Sequence, residues 1–168
     1  PIAGVAGFIA VIKNGIGIIK NFEKANSNLK AVSGATEEEM KTLMATSKAL
    51  GSTTQFTATQ VVGLQTEFAK LGFTVGQIED ATGATLDLAA AAGVELSEAA
   101  SVAGATLGGF GLEASETQRI VDVMAKSFST SALDMEKFKE SMKLAAPVAK
   151  AVGVSVEETT ALLGTLAN

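Results

Sequence analysis

The chain has 168 residues, a formal net charge of -5, and no cysteine, histidine, tryptophan or tyrosine. The absence of histidine removes the usual general base near neutral pH and the commonest metal ligand, and the absence of cysteine removes disulfides and thiol chemistry. The acidic balance argues against sequence-specific binding of nucleic acid, which requires a basic face. The length allows one domain with a core, or one domain plus an arm.

The net charge hides an asymmetry between the start of the chain and the remainder. Residues 1–35 carry four lysines against one glutamate, a net +3, whereas residues 36–168 carry 9 basic against 17 acidic side chains, a net -8. We therefore divide the chain into an apolar, basic arm (residues 1–35) and an acidic helical body (residues 36–168).

Apolar residues of the arm recur at alternating spacings of three and four, which is the heptad pattern of a coiled coil. Two such seams lie side by side, which implies more than one partner. Isoleucine at both seam positions favours trimers or higher assemblies, so we predict an oligomeric coiled coil. The first seam consists of Ile2, Val5, Ile9, Ile12, Ile16 and Ile19. The second consists of Phe8, Val11, Gly15, Ile18, Phe22, Ala25, Leu29 and Val32.

Two other interpretations of the arm stay open: a membrane-active helix and a helix buried within the chain. The stretch from Ile2 to Ile19 is 18 residues long, close to the minimum that spans a bilayer. Lys13 and Asn14 lie near its centre, and a lysine there costs ~3 kcal/mol in a membrane helix. A signal peptide fits poorly, because no small-residue cleavage site follows and a charged helix does.

The body repeats one pattern: a serine or threonine, an apolar stripe of helical period and, in most cases, a glycine; an acidic or amide residue follows three positions after the serine or threonine at every helix start except Ser97. These are the marks of a helix N-terminus and C-terminus. We predict seven helices, opened by Thr36, Thr57, Thr74, Ser97, Ser115, Ser131 and Ser155. The glycines predicted to end helices are Gly51, Gly72, Gly93, Gly111 and Gly153.

The predicted fold class is all-α: one long apolar coiled-coil-like helix, then a compact array of about seven short capped helices arranged as hairpins. The spacing of the glycines indicates stacked helices of similar length, without the self-similarity of a true solenoid repeat. Pro147 lacks an amide proton, so we expect it to kink or split the sixth helix of the body. The final apolar stripe contains Thr159, Leu162 and Leu166.

Candidate chemistry in the sequence has a structural explanation in each case. The carboxylates cluster at 37–39, 79–80 and 157–158, in the first turns of predicted helices, where negative charge suits the helix dipole. The glycines at 108–111 and 15–17 lack the lysine and hydroxyl residue of a phosphate loop. Lys137, Lys139, Lys143 and Lys150 alternate with glutamates that can pair with them along a solvated helical face. We predict no catalytic, cofactor-binding or metal site and no cofactor.

Four runs carry a resemblance to a known family: TEEEMKTLMATSKALGSTTQFTATQVV, EFAKLGFTVGQI, LDLAAAAGVELSEAASVAGATLGGFGLEASET and LAAPVAKAVGVSVEETTALLGTLAN. In order and spacing they resemble the core region of phage tail tape measure proteins, over about residues 28–168. The family has no catalytic residues in this region. Because the chain begins without methionine and stops within a helical pattern, we expect it to be a piece of a longer polypeptide.

The resemblance implies a structural, non-enzymatic virion protein located in the lumen or tip of a phage tail. Tape measure proteins set tail length while tube subunits polymerise around them, and they leave the tail when DNA is ejected. The implied partners are further copies of the chain, as a homotrimer on the tail axis, together with tail tube, tip or baseplate proteins and assembly chaperones. The host membrane is a further implied partner, and the alternative function is a pore-forming module delivered to the host envelope. A lytic domain elsewhere in the parent chain would make the parent an enzyme.

Overall fold

The computed structural model describes the backbone of residues 2–168 and the side chains of residues 15–168. Within these residues the chain forms eight α-helices and one 3₁₀ turn, and no strand. The all-α prediction is therefore confirmed, and the order of one long helix followed by seven short ones matches the sequence pattern. The helices are α1 (Ile2–Ser33), α2 (Glu37–Thr53), α3 (Ala58–Lys70), α4 (Val75–Ala92), α5 (Leu96–Phe110), α6 (Thr117–Thr130), α7 (Met135–Val152) and α8 (Val156–Ala167). The 3₁₀ turn, Ala114–Glu116, lies between α5 and α6.

The helices stack in two layers along the chain. In one layer α1 packs on α3, α3 on α5 and α5 on α7, and in the other α2 packs on α4, α4 on α6 and α6 on α8. Every extensive contact among the described residues therefore joins helices one or two places apart in sequence. This connectivity is that of a helical solenoid, in which each unit buries its apolar face mainly against its neighbours.

Four of the predicted capping boxes are present. Thr36, Thr57, Thr74 and Ser155 each accept a hydrogen bond from the amide three residues later, and the side chain of that later residue accepts from the cap amide in return. Each box satisfies amides at the start of a helix that would otherwise have no partner. These four helix starts therefore depend on local sequence alone.

Three predicted caps were wrong. Glu95 caps α5 without a side-chain hydrogen bond, so Ser97 lies inside the helix. Ser115 lies in the 3₁₀ turn, and α6 follows that turn. Ser131 ends α6 rather than opening α7, whose cap is Asp134, the last residue of the pattern attributed to Ser131.

Four of the five predicted glycine stops are confirmed, because Gly72, Gly93, Gly111 and Gly153 have φ between 67° and 86°. After each glycine, the amide of the next residue donates to a carbonyl five residues earlier, as in Phe73 to Phe68 at 3.1 Å. This is the Schellman arrangement, which returns an apolar residue onto the last helical turn. The rings of Phe68 and Phe73 stack with their centroids 5.0 Å apart.

Gly51 was wrongly predicted to end a helix. It lies within α2, which continues to Thr53. A Cβ at this position would lie 2.5 Å from the backbone nitrogen of Ala58. The glycine is therefore required by the close approach of the chain as it turns into α3, and no left-handed conformation is involved.

Pro147 was predicted to kink or split its helix, and the split does not occur. Helix α7 runs without interruption from Met135 to Val152. Met142 and Ala149, on either side of the proline, are both buried in contact with the rest of the stack. Packing on both sides holds the helical path although one backbone hydrogen bond is missing.

The core joins the two layers and consists mainly of aliphatic residues. Phe68 and Phe138 are its largest fully buried side chains. Buried threonines satisfy their hydroxyls within their own helices, as when Thr66 donates to the Val62 carbonyl at 2.8 Å. A polar bond between helices inside the core is made by Gln65, which donates to the Leu43 carbonyl at 3.2 Å. The stack is therefore held mainly by apolar packing.

Candidate interaction surfaces

The last pair of helices exposes apolar side chains that a helix in a stack would ordinarily bury. Leu144 is 79% exposed, Val148 64% and Val152 70%, and these residues recur every four positions along α7. On α8, Leu162 is 63% exposed and Leu166 83%. We call these five residues the end face. Large contiguous apolar patches on a protein surface are typical of interaction sites.

All of the end-face residues except Leu166 line a groove of about 550 Å³ between α7 and α8. Every residue that lines this groove is uncharged. The end face exists because α7 carries two apolar stripes: Met135, Phe138 and Met142 are buried against the stack, so the other stripe points away from it. Leu162 and Leu166 were predicted on the buried stripe of α8. That prediction was wrong, since Val156, Thr159, Thr160 and Gly164 are the buried residues.

The first helix exposes a second apolar surface. Ile16, Ile18 and Ile19 are between 47% and 59% exposed, and we call these three residues the arm strip. Helix α1 has 32 residues, whereas α3, on which it packs, has 13, so α3 cannot cover α1 along its whole length. Among the residues of α1 whose side chains are described, Phe22 is the first that packs against the core, and the arm strip precedes it.

The predicted seam residues divide between these environments. Leu29 is fully buried in the core and Phe22 packs against it, so both contact the body of the same chain. Ile16 and Ile19 of the first seam are exposed, as are Ile18 and, at 39%, Val32 of the second. The other predicted seam residues lie outside the residues whose side chains are described: Ile2, Val5, Phe8, Ile9, Val11 and Ile12.

Polar contacts at the two ends of α8 join it to α6 and to the turn that follows α6. The Arg119 guanidinium donates to both carboxylate oxygens of Glu157, at 2.6 and 2.9 Å, and to Glu116 at 2.7 Å. At the other end, the Ala132 amide donates to the Asn168 side chain at 2.9 Å. The hydrogen bonds from Arg119 hold the pKa of the Glu157 carboxyl below its usual range.

Glutamates of the clusters at 37–39 and 157–158 form hydrogen bonds and ion pairs at the starts of α2 and α8. Hydrogen bonds from Thr36 and Ser155 lower the pKa of Glu39 and of Glu158, the acidic members of two capping boxes. Lys30 donates to Glu37, joins α1 to α2 and lowers the pKa of that carboxyl. Within the part of the chain whose side chains are described, no three potential metal ligands come together.

Two lysines of α7 make contacts with groups that are close to them in sequence. Lys137 donates to the Ala132 carbonyl at 2.8 Å, and Lys143 pairs with Glu140 at 3.4 Å. The second of these is one of the pairs that the sequence predicted.

Across the fully described part of the chain, no helix is long and apolar enough to cross a bilayer.

Comparison with known proteins identifies the family. The family model described as phage-related minor tail protein matches residues 44–168. The chain belongs to this family. It is 34% identical over 168 residues to the tape measure protein of Pneumococcus phage Dp-1, covering all of this chain and 14% of that protein. It is 35% identical over 147 residues to the probable tape measure protein of Escherichia phage P2, covering 86% of this chain and 18% of that protein.

The resemblance seen in the sequence is therefore confirmed, and the chain is a phage tail protein. It spans less than a fifth of the length of either relative. No solved structure matches the chain. The minor tail protein match starts at Met44, inside α2, whereas the match to the Dp-1 protein includes α1 as well.

Sequence reasoning missed the end face. Leu144, Val148 and Val152 recur at intervals of four, and this second apolar stripe is visible once the sixth helix of the body is extended through Pro147. The expectation of a break at the proline concealed it, because the break would have placed Leu144 and Val148 on different helices.

Proposed function

We propose that this chain is a segment of a tape measure protein, a structural component that sets tail length during assembly of a phage tail. The observation that carries the proposal is the 34% identity to a tape measure protein over the whole of this chain. The chemistry is consistent with a structural rather than an enzymatic role, because the carboxylates sit in helix caps and surface pairs.

A ruler works through reproducible helical rise, ~1.5 Å per residue, and through an end that docks. Residues 36–168 stack as short helices instead of extending, so they would contribute little length per residue. We assign them the role of a folded anchoring or assembly module. Residues 1–35 form the arm that associates with further copies, three around the tail axis, through its isoleucines.

The remaining partners follow from that role. During assembly the segment lies in the tail lumen or tip, in contact with tube and tip or baseplate proteins, and chaperones keep it soluble until the tube encloses it. It leaves the tail at genome ejection. The net charge of -8 in the body suits a protein that does not bind DNA by sequence.

The test is tail length in the phage that encodes the chain. Deleting about 60 helical residues of the parent protein outside residues 1–168 should shorten tails by about 90 Å, at the rise of an α-helix. Electron microscopy of purified virions measures this directly. A matched phage carrying Leu71→Lys, an exposed leucine outside the end face, should keep its tail length. Unchanged tails in the deletion phage would refute the ruler role.

A second candidate function is a membrane-active module delivered to the host envelope. The observation that favours it is the exposure of Ile16, Ile18 and Ile19 on one long helix. The arm should then release dye from liposomes, and substituting glutamate for Ile12 and Ile16 should abolish the release. Infection that fails in the deletion phage while tail length is unchanged would favour this candidate over the ruler.

A further inference from the structure

The helices of the stack follow one packing rule. Each of α3, α4, α5, α6 and α8 packs on both of the two helices that precede it in the chain. A helix of the stack therefore lies against the groove that its two predecessors form, as α5 lies against α3 and α4. By this rule the groove between α7 and α8 is the position of one further helix.

Helix α7 has the surface of a helix inside the stack rather than at its end. The inner helix α5 is covered on two sides: Gly104 lies against Leu71 at the end of α3, and Gly109 lies against Ala146 of α7. Helix α7 also has two apolar sides, because Ala146 faces α5 and the exposed Val148 lies in the groove. The end units of stacked-helix proteins need a polar outer face to stay soluble. An apolar outer face on α7 and α8 therefore indicates that the stack continues.

The lysines of α7 lie outside the groove. Lys139 and Lys143 line a separate cavity against α5, and Lys150 lies next to Gly111 at the end of α5. Lys137 donates to a carbonyl in the turn before α7. The groove itself is lined only by uncharged residues. Its occupant therefore presents an apolar face, as an amphipathic helix does when it lies in a hydrophobic groove.

The groove has the length of one short helix. Its α7 side runs from Ser141 to Val152 and its α8 side from Thr159 to Leu163. The α7 side therefore spans 12 residues, which is ~18 Å at the rise of an α-helix. Helices α2 to α8 have 12–18 residues, so a helix of the same size as these covers the groove from end to end.

We propose that the groove between α7 and α8 is filled by the next helix of the same stack, which the parent polypeptide supplies after Asn168. Turns between successive helices have 3–6 residues, so this helix should lie within about 30 residues of Asn168. Both relatives are long enough to contain such a helix, since the chain covers 14% and 18% of their lengths. The inference rests on the proposed function only in that the chain is a segment of a longer protein. It adds that the folded module extends past this segment.

Thiol labelling in the full-length parent protein tests whether the groove is filled. Residues 1–168 contain no cysteine, so Val148→Cys and Lys143→Cys each add one thiol to α7, the first in the groove and the second on the side of α5. Within this chain the two side chains are similarly exposed, at 64% and 67%. In the parent protein Val148→Cys should react with a maleimide at least about tenfold more slowly than Lys143→Cys, because the groove must open first. Peptide mass spectrometry measures both rates, and equal rates would overturn the inference.

A photoreactive benzophenone amino acid in place of Val148 identifies the occupant. On irradiation of the parent protein, position 148 should form a link to a peptide within about 30 residues after Asn168. The product should keep the mass of a single chain on a denaturing gel. Links to α8 of the same chain are expected whether or not the groove is filled. The same amino acid in place of Lys143 is the matched control and should link to α5 or to nothing.

Three other outcomes would also overturn the inference. A link from position 148 to residues 1–168 of another chain identifies a second copy as the occupant. A link to a different tail protein identifies that protein as the occupant. A slowly labelled thiol without any link to the segment after Asn168 shows that something else closes the groove. Tail length in the deletion phage is a separate measurement, so each of these outcomes leaves the ruler role to be decided on its own.

Discussion

Two adjacent glycines on α5 give the sharpest test of the stack, because the structure places them in opposite environments. A Cβ added at Gly109 would lie 2.9 Å from the Cβ of Ala146 on α7, whereas one added at Gly108 would meet nothing within 4 Å. Both positions are helical and neither has positive φ. The variants Gly108→Ala and Gly109→Ala therefore share the same chemistry and differ only in the neighbouring helix.

The magnitude follows from that pairing. Replacing glycine by alanine in a helix stabilises by roughly 0.5–1 kcal/mol, and this gain is common to both variants. Only Gly109→Ala adds a methyl group that α7 must move to admit, and overpacking of this kind costs typically ~1–3 kcal/mol. We expect Gly108→Ala to be more stable than the wild type, and Gly109→Ala to be less stable than Gly108→Ala by about 1–3 kcal/mol.

Urea unfolding followed by far-UV circular dichroism measures the difference. Thermal unfolding should show the same order, since 1 kcal/mol corresponds to ~2–4 °C in Tm for a chain of this size. The double variant Gly109→Ala with Ala146→Gly removes the opposing methyl group and should recover most of the loss, beyond the separate cost of a glycine in α7. Equal stability of the two single variants would show that α5 and α7 do not approach each other at Gly109.

Three further predictions concern a helix cap, a close approach between α2 and α3, and the dependence of stability on pH. Thr57→Ala removes a capping box and should lower the free energy of unfolding by about 1 kcal/mol. Ser97→Ala, at the second residue of α5, should leave it unchanged. Equal urea midpoints for the two variants would contradict the cap assignments. Gly51→Ala should destabilise by at least ~1–3 kcal/mol, because the Cβ meets the Ala58 backbone, and a stabilised variant would mean that α2 and α3 lie further apart. Hydrogen bonds lower the pKa of four carboxyl groups: Glu157, Glu39, Glu158 and Asp134. The stability that these groups supply to the fold is therefore present above their usual pKa, and it is lost as the pH falls through the lowered values. Denaturant titrations between pH 7 and pH 2 should show this loss, with a smaller loss in Arg119→Gln; an identical pH profile for that variant would show that Arg119 does not hold Glu157 in solution.

Local sequence determined the helix ends that depend on contacts within six residues. The four capping boxes and the four left-handed glycines were predicted correctly, since each uses only side-chain and backbone groups of its own turn. The failures at Ser97, Ser115 and Ser131 have the same origin: a serine ahead of an apolar run can cap a helix, but a neighbouring residue can begin the helix instead. The resemblance over residues 28–168 also required nothing beyond the order and spacing of these motifs.

The tertiary structure decided what the pattern left open. Helix α7 has two apolar stripes, and only its packing on α5 determines that Met142 is buried and Val148 exposed. The same packing carries the helix through Pro147, which local propensity alone predicts to break it. On α8, the small residue Gly164 faces α6 at close range, where an added Cβ would lie 3.3 Å from the Ser131 hydroxyl, and this turns Leu162 and Leu166 outward. Which of two possible faces is buried depends on the shape of the neighbouring helix, and the period of a single helix does not contain that information.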